Sequence, residues 1–551
     1  MREIRADVIV LGGGPAAMLA TLFSMQCGAD TLLVCKQSPG TSGNIVIARA
    51  GHSVPFGEDD SPEIFLEDTL TGGAYLNHPD VAAAMCEDAT ARIHDLHSWG
   101  VTFMAQADGS FELQPQGGHT KNRGLYPTIN WGTEVARPLR AKLDREHAQI
   151  LERIIAVDLL VAEGRCRGVI GFDTRSGETL LLRASATVLA TGGAGQIYAE
   201  TTNAGGITGD GYAMALRAGL WLTDMEFVQF YPAVIKKPKS TQVVAPTLFP
   251  LGARFFNERG ENILKNVPGG GQATRDMMAR AVYLEIMNGV GLDGAIRLDL
   301  KDVSLEDIRH FAPDNAELFE RRGVSPHADD IYIAPKAHFF MGGLPTDGQG
   351  ATAMAGLFAA GEVAAGAHGA NRLSNNAFVE AYTLGARAGR AAAEAARNAP
   401  QEKDSLLQPL AARHADAIEC KKCINARAAG PSREVKRICW EKAGIVRTGE
   451  KLEAAHADLE GVARRLGDCG GRRAAHLTEA FEAENMCLTA RATVEAARFR
   501  TESRGAHYRE DYPNQDDAVW QVNVALRLRE DGSIEAVKRP VGAPIGQSAG
   551  R

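Results

Sequence analysis

Several features are missing from this 551-residue chain, and each absence narrows its role. No run reaches the roughly 18 consecutive apolar residues that read as a membrane span. No charged and then apolar leader precedes the first strand in "MREIRADVIVLGGG", so the expected location is cytoplasmic. Basic residues are not in excess: 60 Lys and Arg face 68 Asp and Glu, a formal charge of -8. Neither nucleic acid nor an anionic membrane surface is therefore an expected partner. The nine cysteines have no framework spacing, which suits a reducing compartment. Their close pair, Cys420 and Cys423 in "CKKC", lacks the second ligand pair of a zinc or cluster site, so it is read as a surface helix pair and no metal is expected. Repeats and low-complexity tracts are absent too.

Glycine is plentiful, with 59 residues, which favours tight turns and close backbone approaches. The length exceeds one hydrophobic core, so two to four domains are expected. The stretch "GAHGANRLSNNAFVE" (366–380) concentrates the question. Its side chains shrink to almost nothing around His368 and Arg372, as if the backbone must lie against something flat or highly charged.

"ADVIVLGGGPAAMLATLFSMQCGADTLLVCKQ" has the order of a parallel β-α-β unit. Asp7 to Leu11 predicts a first strand. Gly12, Gly14 and Ala17 follow in G-x-G-x-x-[G/A] spacing: a tight turn, an approach to a pyrophosphate, and close helix–strand packing. The helix from Pro15 offers its N-terminal amides to phosphate. Where an acidic ribose ligand is usual stands Cys35-Lys36, which does not favour a nicotinamide dinucleotide. Far downstream, "GLFAAGE" predicts a strand ending at Gly361-Glu362, a carboxylate placed beside a polyol. "VLATGGAG" predicts a third strand, Val188 to Ala190, entering a Gly-rich turn. One cofactor site is thus expected from both ends of the chain.

The motifs "ATGGAG", "TTNA…TGDG", "DMEFVQFYP", "HFFMGG", "GLFAAGE", "HGANRL" and "ESRGAHYREDYP", collinear from residue 7 to about 513, resemble the succinate dehydrogenase/fumarate reductase flavoprotein family, which includes L-aspartate oxidase. The resemblance implies FAD and a flavin-dependent reductase or dehydrogenase acting on a CH–CH group. Hydride would move between flavin N5 and a carbon next to a carboxylate or carbonyl. It further implies cofactor-binding roles for Gly12, Gly14, Pro15, Ala16, Lys36, Gln37, Ser42, Gly43, Asn44, Gly51, Ala190, Thr191, Gly192, Asp210, Glu362, Arg372, Ala377 and Phe378. Some members attach FAD through a histidine; the matching stretch "GNIVIARAG" has Asn44 there, and His52 lies eight residues on. Non-covalent FAD is expected.

By the same resemblance Arg372 and His338 clamp the substrate and Arg275 in "ATRDMMAR" shuttles the proton. Tyr231, Thr247 and His368 join them around the substrate. Read without the resemblance, Arg275 is a salt-bridge partner of Asp276 or Glu226. Two departures from the family pattern stand out: Tyr231 replaces a histidine, and "APTLFPLGARFF" has lost a charged Thr-Glu…Arg pattern, leaving Leu248, Phe249 and Leu251 around Thr247. An apolar wall does not hold a second carboxylate, so the substrate is expected to be a carboxylate or carbonyl compound other than a simple C4 dicarboxylate. The alternatives are an aspartate-oxidase-like C–N oxidase, or a flavoprotein that relays electrons to an iron–sulfur partner.

The expected fold class is α/β. A Rossmann-like FAD-binding domain (1–230, returning at 336–400) is interrupted by an α+β capping domain (231–335). A helical domain (401–505) and a C-terminal segment (506–551) with a hairpin around "EDGS" follow.

Overall fold

The computed structural model describes residues 1–49, 51–129, 131–400 and 404–543. Its centre is a seven-stranded sheet. The first strand, Arg2–Leu11, is longer than the β-branched run from which it is read. It lies parallel to Thr31–Cys35 on one side and to Thr179–Leu189 on the other. Val8, Ile9 and Val10 toward its C-terminal end are fully buried, because parallel strands covered on both faces need continuous apolar runs rather than alternation. The expected third strand is the end of that longer element, Thr179–Leu189.

The distant return strand, Leu357–Ala359, pairs parallel with Thr179–Leu189 through Leu357–Thr187 and Ala359–Leu189. The first strand and the return strand, far apart in the chain, thus flank Thr179–Leu189, and Gly12 and Gly361 beyond their ends line one cavity. Gly12 has φ +136°, and a Cβ there would sit 2.1 Å from the Ala190 carbonyl oxygen. Only glycine lets the turn press so close to the neighbouring strand.

Between Val228 and Phe340 the chain leaves this sheet. It builds a four-stranded sheet from Val228–Lys237, Ile331–Phe340, Ile296–Asp299 and Arg254–Phe256. The helices Arg275–Met287, Leu305–Phe311 and Pro313–Arg322 pack with it, around an apolar core that includes Leu248, Phe249, Phe255 and Leu298. After the long helix Asn376–Arg397, residues 401–403 of the expected polar linker lie outside the described residues. A helix Asp404–Cys423 follows, with Cys420 and Cys423 exposed as free thiols. Helices Ala429–Lys442, Gly449–Gly467 and Ala474–Phe499 pack together, as the three-and-four spacing of apolar residues predicts. The final strands, Val522–Leu528 and Ile534–Pro540, pair antiparallel as the expected hairpin.

Candidate active site

The sheet edge opens into a cavity of about 1600 Å³. Its floor is the Gly12–Gly14 turn and the start of the helix Pro15–Gln26, whose N-terminus has no side-chain cap. Uncapped first-turn amides are donors in want of an acceptor. A Cβ at Gly14 would meet no atom within 4 Å, so this backbone faces open space. Further along stand Lys36, Gln37, Ser42, Gly43, Asn44, Gly51, Ala190, Thr191, Gly192 and Asp210. Pro15, Ala16, Glu362, Ala377 and Phe378 complete this stretch of wall.

Charge in this part of the wall is balanced internally. Lys36 pairs with Asp210 at 2.5 Å and with Glu482 at 2.7 Å. The two carboxylates hold the Lys36 ammonium above its ordinary range despite burial. Asp210 also accepts from Thr208 Oγ1 and Asn485 Nδ2, each at 2.9 Å. Glu482 and Asn485 come from the helical region, and sequence reasoning missed both because no local motif marks them. Burial pushes the Glu362 carboxyl up to about 7, against the opposing pull of the Phe340 N–H, which donates to it at 3.1 Å. The Thr191 hydroxyl is buried and without a hydrogen-bond partner.

At its far reach the cavity is lined by Tyr231, Arg275, His338 and Arg372. Two guanidinium groups converge on one oxygen: Arg372 Nη2 donates to Gln229 Oε1 at 2.8 Å and Arg275 Nη1 donates to it at 3.3 Å. Gln229 Nε2 in turn donates to Asn371 Oδ1 (3.1 Å), and Asn371 Nδ2 donates to Asp276 Oδ1 (2.9 Å). Burial first, and the Arg275 charge second, push Arg372 down to about 9. Arg275 is lowered chiefly by burial. The Nε atoms of both are buried without partners. Two such cations held side by side, donors unused, form a receptor for an anionic or carbonyl oxygen. His338 Nδ1 lies 2.8 Å from Thr202 Oγ1. Burial, then the Arg372 and Arg275 charges, drive this imidazole well below its ordinary value, so it is neutral. Tyr231 packs near both, its ring centroid 5.2 Å from that of His338 in a tilted arrangement and 5.0 Å from the Arg275 guanidinium. Its hydroxyl donates to Val244 O at 2.6 Å, and burial raises it to about 12.

The structural alternative for Arg275 does not hold: Glu226 pairs with Arg500 at 2.6 Å, and Asp276 faces Asn371. Two expected site residues are misplaced. His368 does not rise toward the cavity; its Nε2 lies 3.0 Å from Glu380 Oε2 and both side chains are buried. A buried carboxylate needs a partner, and this imidazole supplies it. Thr247 lies off the cavity wall too, donating to the Phe311 carbonyl at 3.1 Å. With it go Leu248 and Phe249, which belong to the apolar core of the four-stranded sheet. The expected greasy wall is absent from the cavity lining. In that region the wall is made by Gln242, Val243, Pro246, Tyr126 and Arg49, and Arg49 escaped sequence reasoning.

His52 has both ring nitrogens engaged, Nδ1 3.1 Å from Leu125 O and Nε2 3.0 Å from Tyr382 Oη. Asn44 donates to Asn203 Oδ1 and accepts from the Ala204 N–H, each at 3.0 Å.

The chain is similar to known proteins in sequence and in fold. Residues 7–377 match a family model described as an FAD binding domain, and residues 432–544 match the fumarate reductase flavoprotein C-terminal family. A fumarate reductase (CoM/CoB) subunit from Methanothermobacter marburgensis is 35% identical over 95% of this chain and 97% of its own. An L-aspartate oxidase from Streptomyces coelicolor is 33% identical over 96% and 93%. Among solved structures, a variant of the E. coli quinol fumarate reductase FrdA superposes with TM-score 0.93 at 27% identity, covering 100% of both chains. Fold and family models define an FAD-dependent oxidoreductase. The chain belongs to the succinate dehydrogenase/fumarate reductase flavoprotein family. Uncapped helix amides and an open glycine turn fit the dinucleotide that this family model names. Among the described residues no helix is long and apolar enough to cross a membrane.

Proposed function

We propose that this protein reduces or desaturates a carbon–carbon bond next to a carboxylate or carbonyl. The reading rests on one observation: Arg275 and Arg372 share the Gln229 oxygen beside a neutral His338, at the end of the FAD cavity. When bound, the flavin supplies two-electron chemistry at its N5.

The chain's residues do the rest. Gly12, Gly14 and the helix amides after Pro15 hold the pyrophosphate. Asp210, with Lys36 beside it, and Glu362 hold the adenylate and ribityl portions. The amides of Ala377 and Phe378, where the helix Asn376–Arg397 begins, meet the isoalloxazine edge. FAD is held without a covalent bond, since Asn44 replaces the tethering histidine and His52 is fully engaged.

Arg372 and His338 bind and polarise the substrate's carboxylate or carbonyl. Arg275 delivers the proton to the far carbon. Burial weakens an arginine's hold on its proton, and it lowers Arg275 here. Residues 231–335 serve as a cap that excludes water around these groups, with 336–400 returning to the FAD-binding domain. A cytoplasmic location accords with nine free thiols.

A second reading is supported by relatives that are themselves named as subunits: the chain passes electrons to an iron–sulfur partner. The aspartate oxidase relative marks a C–N oxidase as the further alternative. One screen separates these. Purified holoprotein is supplied with a reduced viologen and offered enoates, enones, dicarboxylates and, separately under air, L-amino acids. Viologen oxidation by a monoanionic enoate or an enone supports the proposal. Peroxide production from an amino acid alone overturns it.

A further inference from the structure

Beside Tyr231 stands a second basic group, Arg49, contributed by the flavin-binding part of the chain. Its side chain is 7% exposed and lines the cavity. Its guanidinium lies 5.9 Å from the Tyr126 ring centroid, and Tyr231 feels the charges of Arg275 and Arg49 together. Arg49 is not idle. Its Nη1 pairs with Asp314 Oδ1 at 2.9 Å, and its Nη2 donates to the Phe311 carbonyl at 3.2 Å. That carbonyl is the one Thr247 also bonds. Arg49 therefore sits beside the segment from which the family's charged pattern is missing.

Phe311 closes the helix Leu305–Phe311 and Asp314 opens the helix Pro313–Arg322. Both put negative charge at this spot, the first through its terminal carbonyls and the second as a carboxylate. The Asp314 side chain is 0% exposed and also accepts from Gln242 Nε2 at 2.9 Å, so it has no path to swing into water.

We infer that Asp314 sets the charge selectivity of this chamber: it acts as a resident carboxylate on Arg49, so that the site takes a substrate with one carboxylate and turns away one with two. This rests on the proposed function and narrows its substrate class. A second substrate carboxylate seeking Arg49 would have to share it with Asp314, placing like charges together, or displace Asp314 and leave it buried and unpaired. Either is unfavourable. A neutral ester, amide or alkyl end meets neither obstacle.

The test is ligand binding to oxidised holoenzyme, read as perturbation of the bound flavin's visible spectrum. Fumarate and monomethyl fumarate are the probes, since they differ by one charge on the same skeleton. The wild type is expected to bind the monoester more tightly. Asp314→Asn keeps the shape of the side chain and releases the Arg49 charge, and is expected to shift the preference toward fumarate by roughly tenfold or more. Arg49→Gln added to that variant is expected to cancel the shift. A wild type that prefers fumarate overturns the inference even if Asp314→Asn does not fold, and so does an unchanged ratio in a folded Asp314→Asn. Turnover of neither ligand, with the binding preference as expected, rejects the reaction and leaves the charge selectivity standing. No perturbation by either overturns both.

Discussion

Arg275 and Arg372, one from the helix Arg275–Met287 and one from the glycine-rich return segment, donate to the same atom, Gln229 Oε1. A single neutral oxygen thus holds two cations together without cancelling their charge. Gln229→Glu would place a full negative charge between them and pair them internally. The expected result is a KM for acid substrates raised by roughly 10- to 100-fold, about 1.4 to 2.8 kcal/mol, with flavin content unchanged. Steady-state kinetics on flavin-normalised protein checks it.

The Gly12 turn carries a second expectation. A Cβ at this residue would lie 2.1 Å from the Ala190 carbonyl oxygen, and its φ of +136° is poorly suited to other residues. Gly12→Ala is expected to destabilise the protein by about 1–3 kcal/mol, as overpacked sites do, and to reduce FAD occupancy. Thermal unfolding, with the flavin to protein absorbance ratio, reads both.

Glu362 supplies a pH dependence. Burial raises its carboxyl from 4.5 to about 7, so the folded apoprotein binds a proton that the unfolded chain has already released. The stability linked to this proton is fully present below the unfolded value and is lost as pH rises through about 7. Relative to Glu362→Gln, the wild-type apoprotein should lose thermal stability between about pH 5 and about pH 8. A parallel pH dependence of the two proteins would contradict the assignment.

The engagement of both His52 nitrogens, by Leu125 O and Tyr382 Oη, bears on how FAD is held. Acid precipitation of the holoprotein should release all the flavin into the supernatant as intact FAD. Flavin fluorescence remaining on the denatured polypeptide would contradict this.

Much of the site is legible in local motifs. Gly12, Gly14 and Glu362 announce themselves because the backbone demands of a dinucleotide site leave few residue choices. Arg275, His338 and Arg372 are legible through the order and spacing of family motifs. His368 misleads, since small neighbours suggest exposure to a ligand while its partner, Glu380, lies on the following helix. Thr247, Leu248 and Phe249 mislead for a different reason. Loss of charge in that segment is visible in the sequence, but the turn Pro246–Leu248 directs those side chains into the core of the four-stranded sheet. The pair Arg49 and Asp314 is invisible because each looks like an ordinary surface charge until the fold brings the two parts of the chain together.

The most direct measurement is a single turnover. Holoprotein is reduced anaerobically to one equivalent and mixed with a monoanionic enoate while the visible flavin band is followed. Stoichiometric return of the band is expected with the wild type. Arg275→Ala should return none on that timescale, though it binds FAD and is reoxidised by oxygen. If Arg275→Ala returns the band at a near-normal rate, Arg275 is not the proton donor, and if no enoate or enone returns it with the wild type, the proposed reaction is wrong.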